Sequence, residues 1–539
     1  MEVHQAAGAI GFLKSKLFYP KPDKIGCKMS NGDDLKPRLE DTGATSWENK
    51  HLIYTQPLRH LYNLWNAAQG DSFDRYNLAT QAIMDLVAQA QKENLELRPL
   101  GGGWSLSRAP STDGILVNTK PLNLYFNMPA DMVDPAYADP EREKTLYFLQ
   151  CGNSILEIHQ RLEAQGRGLK SCGASNGQTI AGALATGTHG AAIDAGSIAN
   201  YVVGLHIVVS PTRHVWLERK SYPVVTKDFA DALGAEWIRD DNLFNAALIS
   251  LGGFGFIHGV MIETDPLYLY EMHRERMPYD APMRHAMNTL DFSQIKLPGG
   301  AERPYHFQVL INAYDLDQKG VSVTTLYRRP YRTNYNHPIT DLGGKGPGDD
   351  ALAVIGTVTN VLPATTPSII NVFMNASFPE LAEPILGTLG ELFSNTTTRG
   401  RTGSTSMAVP VDFASRALDQ LLALNKSDGP FAGIFSQRFV KGNQATMGWQ
   451  RWPATCVIEL DGAYSDRSLA FFDLVAKTFV EQGIPHTFHW GKLSKLSPAD
   501  VKLLYGNAVD QWTAARNQLL DAAARKTFSN VFLNSMGLS

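Results

Sequence analysis

Gly173-Ala-Ser-Asn-Gly-Gln-Thr-Ile-Ala-Gly-Ala-Leu-Ala-Thr-Gly-Thr-His-Gly190 is the stretch whose reading decides the fold. It holds five glycines and four alanines, and His189 is its only ionisable side chain. A surface linker of this length carries charge. A helix is disfavoured, because each interior glycine costs about 1 kcal/mol relative to alanine. The composition suits a backbone that comes close to something large and flat, or to an anion held by free N–H groups. The alternative is a tight turn packed on a neighbouring strand.

Working outward, two more glycine loops appear. Residues 76–94 place Ile83, Leu86, Val87 and Ala90 at helical spacing. A strand over 95–100 follows, then Gly101-Gly-Gly-Trp-Ser-Leu-Ser107, then a strand over 114–117. Residues 146–151 read as a strand. Residues 153–165 read as a helix, with Ser154 near its start and Gly166 and Gly168 ending it. Past the opening stretch, 201–210 is a β-branched buried strand, with 214–218 as its hairpin partner. A helix from 241 leads to Gly252-Gly-Phe-Gly255 and a last strand. Neither of the two earlier loops fits G-x-G-x-x-G opening a helix, and no Gly-Lys-Ser/Thr occurs, so the common nucleotide folds fit poorly while a dinucleotide-sized ligand stays open.

Beyond about residue 267 the texture changes, with frequent aromatics and arginines and a further loop, Gly343-Gly-Lys-Gly-Pro-Gly348. Strand-like runs at 305–312, 403–409, 432–439 and 454–460 alternate with amphipathic helices at 378–393, 411–424 and 465–482. This is the pattern of an antiparallel sheet with helices on one face. Pro498–Ser539 is helical, and Val501, Leu504, Trp512 and Leu519 point to packing back on the body.

The whole reads as an α+β chain. At 539 residues it is too long for a single core. The expected units are a polar arm over 1–50, a ligand domain over 51–266, a cap over 267–485 and a returning segment over 486–539. A net charge of -4 gives no electrostatic case for nucleic acid or an anionic membrane. No run approaches the length of a membrane span. Cys27, Cys151, Cys172 and Cys456 are scattered, with no metal-ligand spacing, so they read as free thiols. No secretory signal is apparent, and cytoplasm is the expected compartment.

Three runs in order make a resemblance specific: Arg98-Pro-Leu-Gly-Gly-Gly-Trp-Ser105, Gln178–Gly190, and Leu243-Phe-Asn-Ala-Ala-Leu-Ile-Ser-Leu-Gly-Gly-Phe-Gly255. Together they resemble the FAD domain of the vanillyl-alcohol oxidase family. His489-Trp-Gly-Lys492 resembles its aldonolactone and alditol oxidase branch. The resemblance implies a two-subdomain PCMH-type FAD-binding domain beneath a substrate cap. It implies a phosphate turn at Gly101, Gly102, Gly103 and Ser105. A second contact region falls at Gly187, Thr188, His189 and Gly190. Gln178, Thr179, Ala181 and Gly182 would lie beside the ribityl chain and flavin, with Gly255 and Ile257 near the adenine. Gly173, Ala174 and Ser175 fall where relatives set oxygen access and a second flavin bond.

Many relatives carry a histidine, bonded to the flavin, where this chain has Trp104. Tryptophan cannot form that bond, so FAD is expected to be noncovalent, with Trp104 packing on the flavin edge. A bond from Cys172 would need a local shift.

Lys492 resembles the family's active-site lysine, a cation beside a flavin that gains negative charge. Arg438 fits an arginine on a cap strand, but Ser436 stands where relatives have an acid. Glu459 and Asp461 share one side of a strand. Glu459 is either a base for a hydroxyl proton, the partner of Arg438, or half of a solvent-facing edge pair. His489 is a base or a packing residue. The expected activity is FAD-dependent oxidation of an alcohol by hydride transfer to flavin N5, the substrate a polyol, sugar lactone or related small molecule. Oxygen, a dye or a protein would be the acceptor. The aromatics Tyr268, Tyr270, Tyr305, Phe307 and Tyr327 keep a larger apolar alcohol such as a sterol open. A flavin-binding electron relay without turnover is the alternative outside enzymes.

Overall fold

The computed structural model describes residues 35–137, 143–338, 351–396 and 400–539. Most of the polar arm, Cys27 and the loop at 343–348 therefore lie outside the described residues. Two sheets carry the first half of the chain. The smaller has four strands in the order Arg38–Asp41, His60–Trp65, Ile115–Asn118, Leu97–Leu100. The last three are mutually parallel. The long helix Ser72–Glu93 supplies the crossover, capped by the Asp71 carboxylate and closed by Asn94 in the left-handed region.

The second sheet has six strands. At its centre Val202–Ser210 pairs antiparallel with Arg213–Glu218 on one side and Phe256–Glu263 on the other. Val202–Ser210 is buried along nearly its whole length, which accounts for its unbroken β-branched run. The helix Ile155–Glu163 starts at Ser154, as expected, and Ser154 forms a capping box with Glu157.

The opening stretch departs from expectation in one respect. Ile180–Thr186 is an α-helix. Gly182 is the one glycine inside it; the other four lie in the turns around it, and its remaining interior is alanine and leucine, which favour a helix.

The cap is one eight-stranded sheet, antiparallel throughout. Its order is Ile385–Gly387, Tyr268–Met277, Val321–Pro330, His306–Ile311, Gly433–Lys441, Ala454–Ala463, Thr402–Pro410, Thr487–Phe488. Helices Ala281–Thr289, Ala414–Ser427 and Asp466–Glu481 cover one face. They bury Met283, Leu418 and Phe479 against Phe307, Phe439 and Ile458. The other face looks toward the first half of the chain.

Two details differ from the sequence reading. The helix expected over 378–393 is instead a helix at Thr366–Ser377, a short strand at Ile385–Gly387 and a helical turn at Leu389–Leu392. The last strand of the cap sheet comes from beyond residue 485. The C-terminal helices do return to the FAD-side body. Trp512 packs edge-on against Phe254 and donates to the Ile249 carbonyl, and Arg516 donates to the Gly253 carbonyl. No helix among the described residues is long and apolar enough to cross a membrane.

A polar network sits inside the six-stranded layer. The Tyr76 hydroxyl meets His206 Nδ1 at 2.6 Å, and its ring stacks on His258. Gln150 Nε2 donates to His258 Nε2 at 2.9 Å, because the Gln150 carbonyl is already taken by Asn66 and the Leu124 N–H. His258 is thus held neutral, with Nδ1–H toward Thr80. Burial and the neighbouring His214 push it down to about 3. Burial and the adjacent histidines also push His206 well below its usual value. The unfolded chain binds these protons first as pH falls below the usual 6.5, so this stability is present above pH 6.5 and is lost toward the folded values. Each histidine contributes a slope of about 1.4 kcal/mol per pH unit in that window. Urea unfolding of the purified protein should show that slope, and His258→Gln should reduce it by about one proton.

Candidate functional site

The site is built by cross-strand register on the open face of the cap sheet. Ser436 pairs with Glu459, and Leu310 pairs with Ser436. One row along, Arg438 pairs with Gln308. Alternation therefore sends Gln308, Leu310, Ser436, Arg438, Glu459 and Asp461 to one side, and all six line one cavity. Gln437 points the other way and donates to the Ala414 carbonyl.

Arg438 Nη2 lies 3.1 Å from Glu459 Oε2, and the Ser436 hydroxyl donates to the same oxygen at 3.0 Å. Glu459 is buried. Burial raises its pKa, but Arg438 and Lys492 outweigh that and hold the carboxyl down at about 2. It is a committed anion. Of the alternatives open in the sequence, the geometry pairs Glu459 with Arg438. The acid absent from position 436 is supplied from the neighbouring strand.

Lys492 Nζ donates to the Ser404 hydroxyl at 2.7 Å and lies 3.4 Å from Asp461 Oδ1. Ser404 in turn donates to Asp461. The turn His489–Lys492 follows the last cap strand, and the Leu106 N–H holds it by bonding to the Gly491 carbonyl.

His189 lies among these groups. Its Nε2 is 3.9 Å from Glu459 Oε1, and its ring neighbours His489 and Trp449. Its Nδ1 is 2.8 Å from the Gly190 carbonyl, which can only accept, so Nδ1 carries the proton. Burial pushes its pKa down to about 4 against the attraction of Glu459. The ring is neutral, and Nε2 is a lone-pair acceptor. His489 is the complementary tautomer: its Nδ1 accepts from the Gly491 N–H. Burial, His189 and Lys492 keep it well below its usual pKa. His189, expected in the second contact region, lines the cavity, and charged groups of the cap lie around its ring.

The cavity has a volume of about 660 Å³. Lys492, His489, Gly101, Gly102, Gly103, Trp104, Ser105, Gly173, Ala174, Ser175, Gln178, Thr179, Ala181, Gly182, Thr188, Gly255 and Ile257 all line it, with His189, Arg438 and Glu459. Gly187 and Gly190, expected among the contacts, do not. Gly187 closes the helix with a positive φ, and a Cβ there would lie 2.7 Å from Trp449 Nε1. A Cβ on Gly190 would overlap the Cys172 carbonyl. Both serve chain packing.

Cys172 does not line the cavity; its Sγ accepts from Asn176 at 3.8 Å, and burial pushes the thiol up to about 12. The aromatics singled out in the cap are absent from the lining too; Tyr270, Phe307 and Tyr327 are core residues. The cap wall is instead Met272, Leu310, Phe378, Leu392, Phe393 and Ile434, with Arg274 and Asn395. Sequence reasoning missed these, along with His51 and Gln308, because only topology brings them together.

Residues 79–217 match the family model described as an FAD binding domain. The chain is 26% identical over 198 residues to D-arabinono-1,4-lactone oxidase of Candida glabrata, covering 37% of this chain and 33% of that protein. It is 23% identical over 231 residues to L-gulonolactone oxidase of Mus musculus, covering 42% and 44%. It is 25% identical over 194 residues to L-gulono-1,4-lactone dehydrogenase of Mycobacterium tuberculosis, covering 36% and 38%. The matches thus span between a third and under half of these relatives. A cholesterol oxidase from B. sterolicum superimposes at TM-score 0.65 and 16% identity, over 96% of this chain and 99% of that one. A solvent-stable cholesterol oxidase gives 0.66 at 14% identity, over 93% and 98%. These structures share the fold.

The chain is an FAD-binding protein of the PCMH type with a cap domain. Over part of its length it is similar to aldonolactone oxidases and dehydrogenases.

The cavity fits the cofactor. Its wall from His51 to Ile257 has no carboxylate; the two acids that line it, Glu459 and Asp461, are both on the cap side. A dianionic pyrophosphate needs such a wall. A Cβ on Gly101 would overlap Thr179 Oγ1, so the loop keeps its backbone bare there. Trp104 Nε1 and Gln178 Oε1 are buried without a protein partner, as a donor and an acceptor waiting for a ligand would be.

Removing one member of a buried ion pair leaves the other charge uncompensated. Glu459→Leu should destabilise the protein by about 3–5 kcal/mol, and adding Arg438→Met should recover much of that. Denaturant unfolding of the two single variants and the double variant checks it; additive losses would mean the pair is not coupled.

Proposed function

We propose that this protein is an FAD-dependent oxidoreductase that oxidises an alcohol at its CH–OH carbon. The observation that carries this reading is one cavity with a carboxylate-free glycine wall on one side and His189, Lys492 and the Arg438–Glu459 pair on the other. Gly101–Gly103 and Ser105 would hold the pyrophosphate, and Gln178, Thr179, Ala181 and Gly182 the ribityl chain and ring system. Gly173, Ala174 and Ser175 would border the ring, with Thr188 and His489 near it and Gly255 and Ile257 toward the adenine. When bound, FAD supplies a hydride acceptor at N5.

The chain's own residues supply position, charge and a proton acceptor. Lys492, steadied by Ser404 and Asp461, offers a cation to a ring that gains negative charge. Arg438 is fixed by Glu459, and so offers its remaining N–H groups in a set direction. Glu459 is committed as the counter-ion of Arg438, with Oε2 also accepting from Ser436. The hydroxyl proton goes to His189 Nε2, whose partner nitrogen is committed to Gly190. Nε2 and Glu459 Oε1 face each other as two acceptors at 3.9 Å, beyond a direct hydrogen bond. A substrate hydroxyl has one proton to donate, and in this reading it donates to Nε2.

The relatives act, by name, on aldonolactones. The apolar cap wall of Met272, Leu310, Phe378, Leu392, Phe393 and Ile434 favours a larger, apolar-bodied alcohol over a sugar lactone, which would need many polar partners. The electron-relay reading loses one of its two supports, since Arg438 does have a carboxylate; the other, Trp104 in place of the linking histidine, stands.

Steady-state dye reduction with long-chain or steroid alcohols, against aldonolactones, tests the activity. His189→Gln should lower kcat/KM by about 100-fold or more while flavin content stays unchanged; a loss below tenfold removes His189 from the chemistry. FAD is held without a covalent bond in this reading, because Trp104 replaces the linking histidine and Cys172 is off the cavity and protonated. Acid precipitation should leave the yellow colour in the supernatant; a yellow pellet contradicts it.

A further inference from the structure

Four cations line the cavity: Arg98, Arg274, Arg438 and Lys492. Three are accounted for. Arg98 is caged by the carbonyls of Gly252, Phe528, Ala109 and Leu251. Arg438 has Glu459, and Lys492 has Asp461. Arg274 differs. Its Nε donates to Thr324 Oγ1 at 3.1 Å, and its guanidinium carbon lies 5.6 Å from the Phe378 ring centroid. No carboxylate among the described residues forms an ion pair with it. Burial alone lowers its pKa, with no acid acting against that. A guanidinium in a low-dielectric wall is costly unless an anion meets it, and its planar fork suits a carboxylate.

Register fixes where Arg274 stands relative to the chemistry. Arg274 pairs with Thr324, Thr324 with Gln308, and Gln308 with Arg438, so these four form one row across the sheet on one face. Three strand spacings separate the ends, about 14 Å. Thr324 and Gln308 stand between them in the row, and apolar side chains flank it. Met272 lies beside Arg274 on its own strand and lines the cavity with Leu310, Ile434 and Phe378. Behind Leu310 and Ile434 the helix Thr366–Ser377 packs Ile370 and Met374. The cavity therefore has a polar end at Arg438, a length lined by Met272, Leu310, Phe378 and Ile434 beside Gln308, and a cation at the far end.

We propose that Arg274 is the counter-ion for a carboxylate at the far end of the substrate. This makes the substrate an extended, apolar-bodied hydroxy-carboxylate. It rests on the alcohol-oxidation reading, with the hydroxyl near His189 and Glu459 and the hydrocarbon body on the Met272–Ile434 wall. A phosphate or sulfate monoester would present a similar anion. The carboxylate is favoured because Arg274 is the one cation on this wall left without an anion, and a single guanidinium matches the single charge of a carboxylate.

The test uses the FAD-loaded protein and paired probes. ω-Hydroxydodecanoate is compared with its methyl ester, and a hydroxysteroid carboxylate with its methyl ester. ω-Hydroxydodecyl phosphate distinguishes the kind of anion. The acid should be preferred over the ester in kcat/KM by about tenfold or more, carried by KM. Arg274→Gln should bring that ratio to about one, and Arg274→Lys should keep part of it. Sodium dodecanoate, which cannot be oxidised at a hydroxyl, should bind the wild type and perturb the flavin absorbance, and its Kd should rise by about tenfold or more in Arg274→Gln. Flavin content and melting temperature of the variants identify misfolding.

Esters oxidised as well as acids by the wild type, or a preference that survives Arg274→Gln, would overturn the inference. A preference for the phosphate would overturn the carboxylate assignment. If no alcohol is oxidised at all, the activity reading fails, and the dodecanoate titration still decides whether Arg274 receives an anion.

Discussion

The buried pair of Arg438 and Glu459 is the interaction on which the rest of the site depends. Two charges on adjacent strands are taken out of water, and each is tolerable only because the other is 3.1 Å away. Ser436, from Arg438's own strand, adds a hydrogen bond to the same carboxylate oxygen. Three consequences follow. Glu459 is spent as a counter-ion and leaves the base role vacant. Burial, helped by the cations nearby, keeps His189 and His489 neutral, so that His189 Nε2 presents a lone pair rather than a proton. And the cap face carries all the acid of the site, which leaves the opposite wall free of carboxylates.

That division of charge explains how one cavity can serve two ligands. A dinucleotide wants bare backbone and donors, which the three glycine loops give where side chains would collide, as at Gly101 beside Thr179. A substrate wants shape and one reactive polar spot, which a flat antiparallel sheet gives by alternation. The turn His489–Lys492 belongs to both. It follows the last cap strand, yet it is tied to the first glycine loop through Leu106 and Gly491. Motion of the cap relative to the FAD domain would therefore act directly on Lys492.

Much of this was legible in the sequence, for local reasons. The capping box at Ser154, the buried run at 202–210 and the alternation of Glu459 and Asp461 are written in adjacent residues. So are the glycine loops, since close backbone approach restricts composition. What was not legible depends on register between distant strands. Glu459 meets Arg438 because Ser436 pairs with Glu459, a fact no local pattern encodes. The strands Tyr268–Met277 and Val321–Pro330 escaped notice because their arginines and tyrosines obscure the period of two. For the same reason nothing distinguished Arg274 from its neighbouring arginines. The expected helix over 378–393 failed because short apolar spacings there serve a strand and a turn. His189 was placed by its glycine-rich surroundings, which did not show that charged groups of the cap lie around its ring.

The central claim is that this cavity removes a hydride from an alcohol carbon while His189 takes the hydroxyl proton. Anaerobic rapid mixing of the FAD-loaded protein with an apolar alcohol, protiated or deuterated at the carbinol carbon, tests it most directly. The account predicts bleaching of the flavin in one phase, slowed several-fold by the deuterium. Flavin that stays oxidised, or that bleaches at a rate indifferent to the isotope with no slower step masking it, would contradict the account.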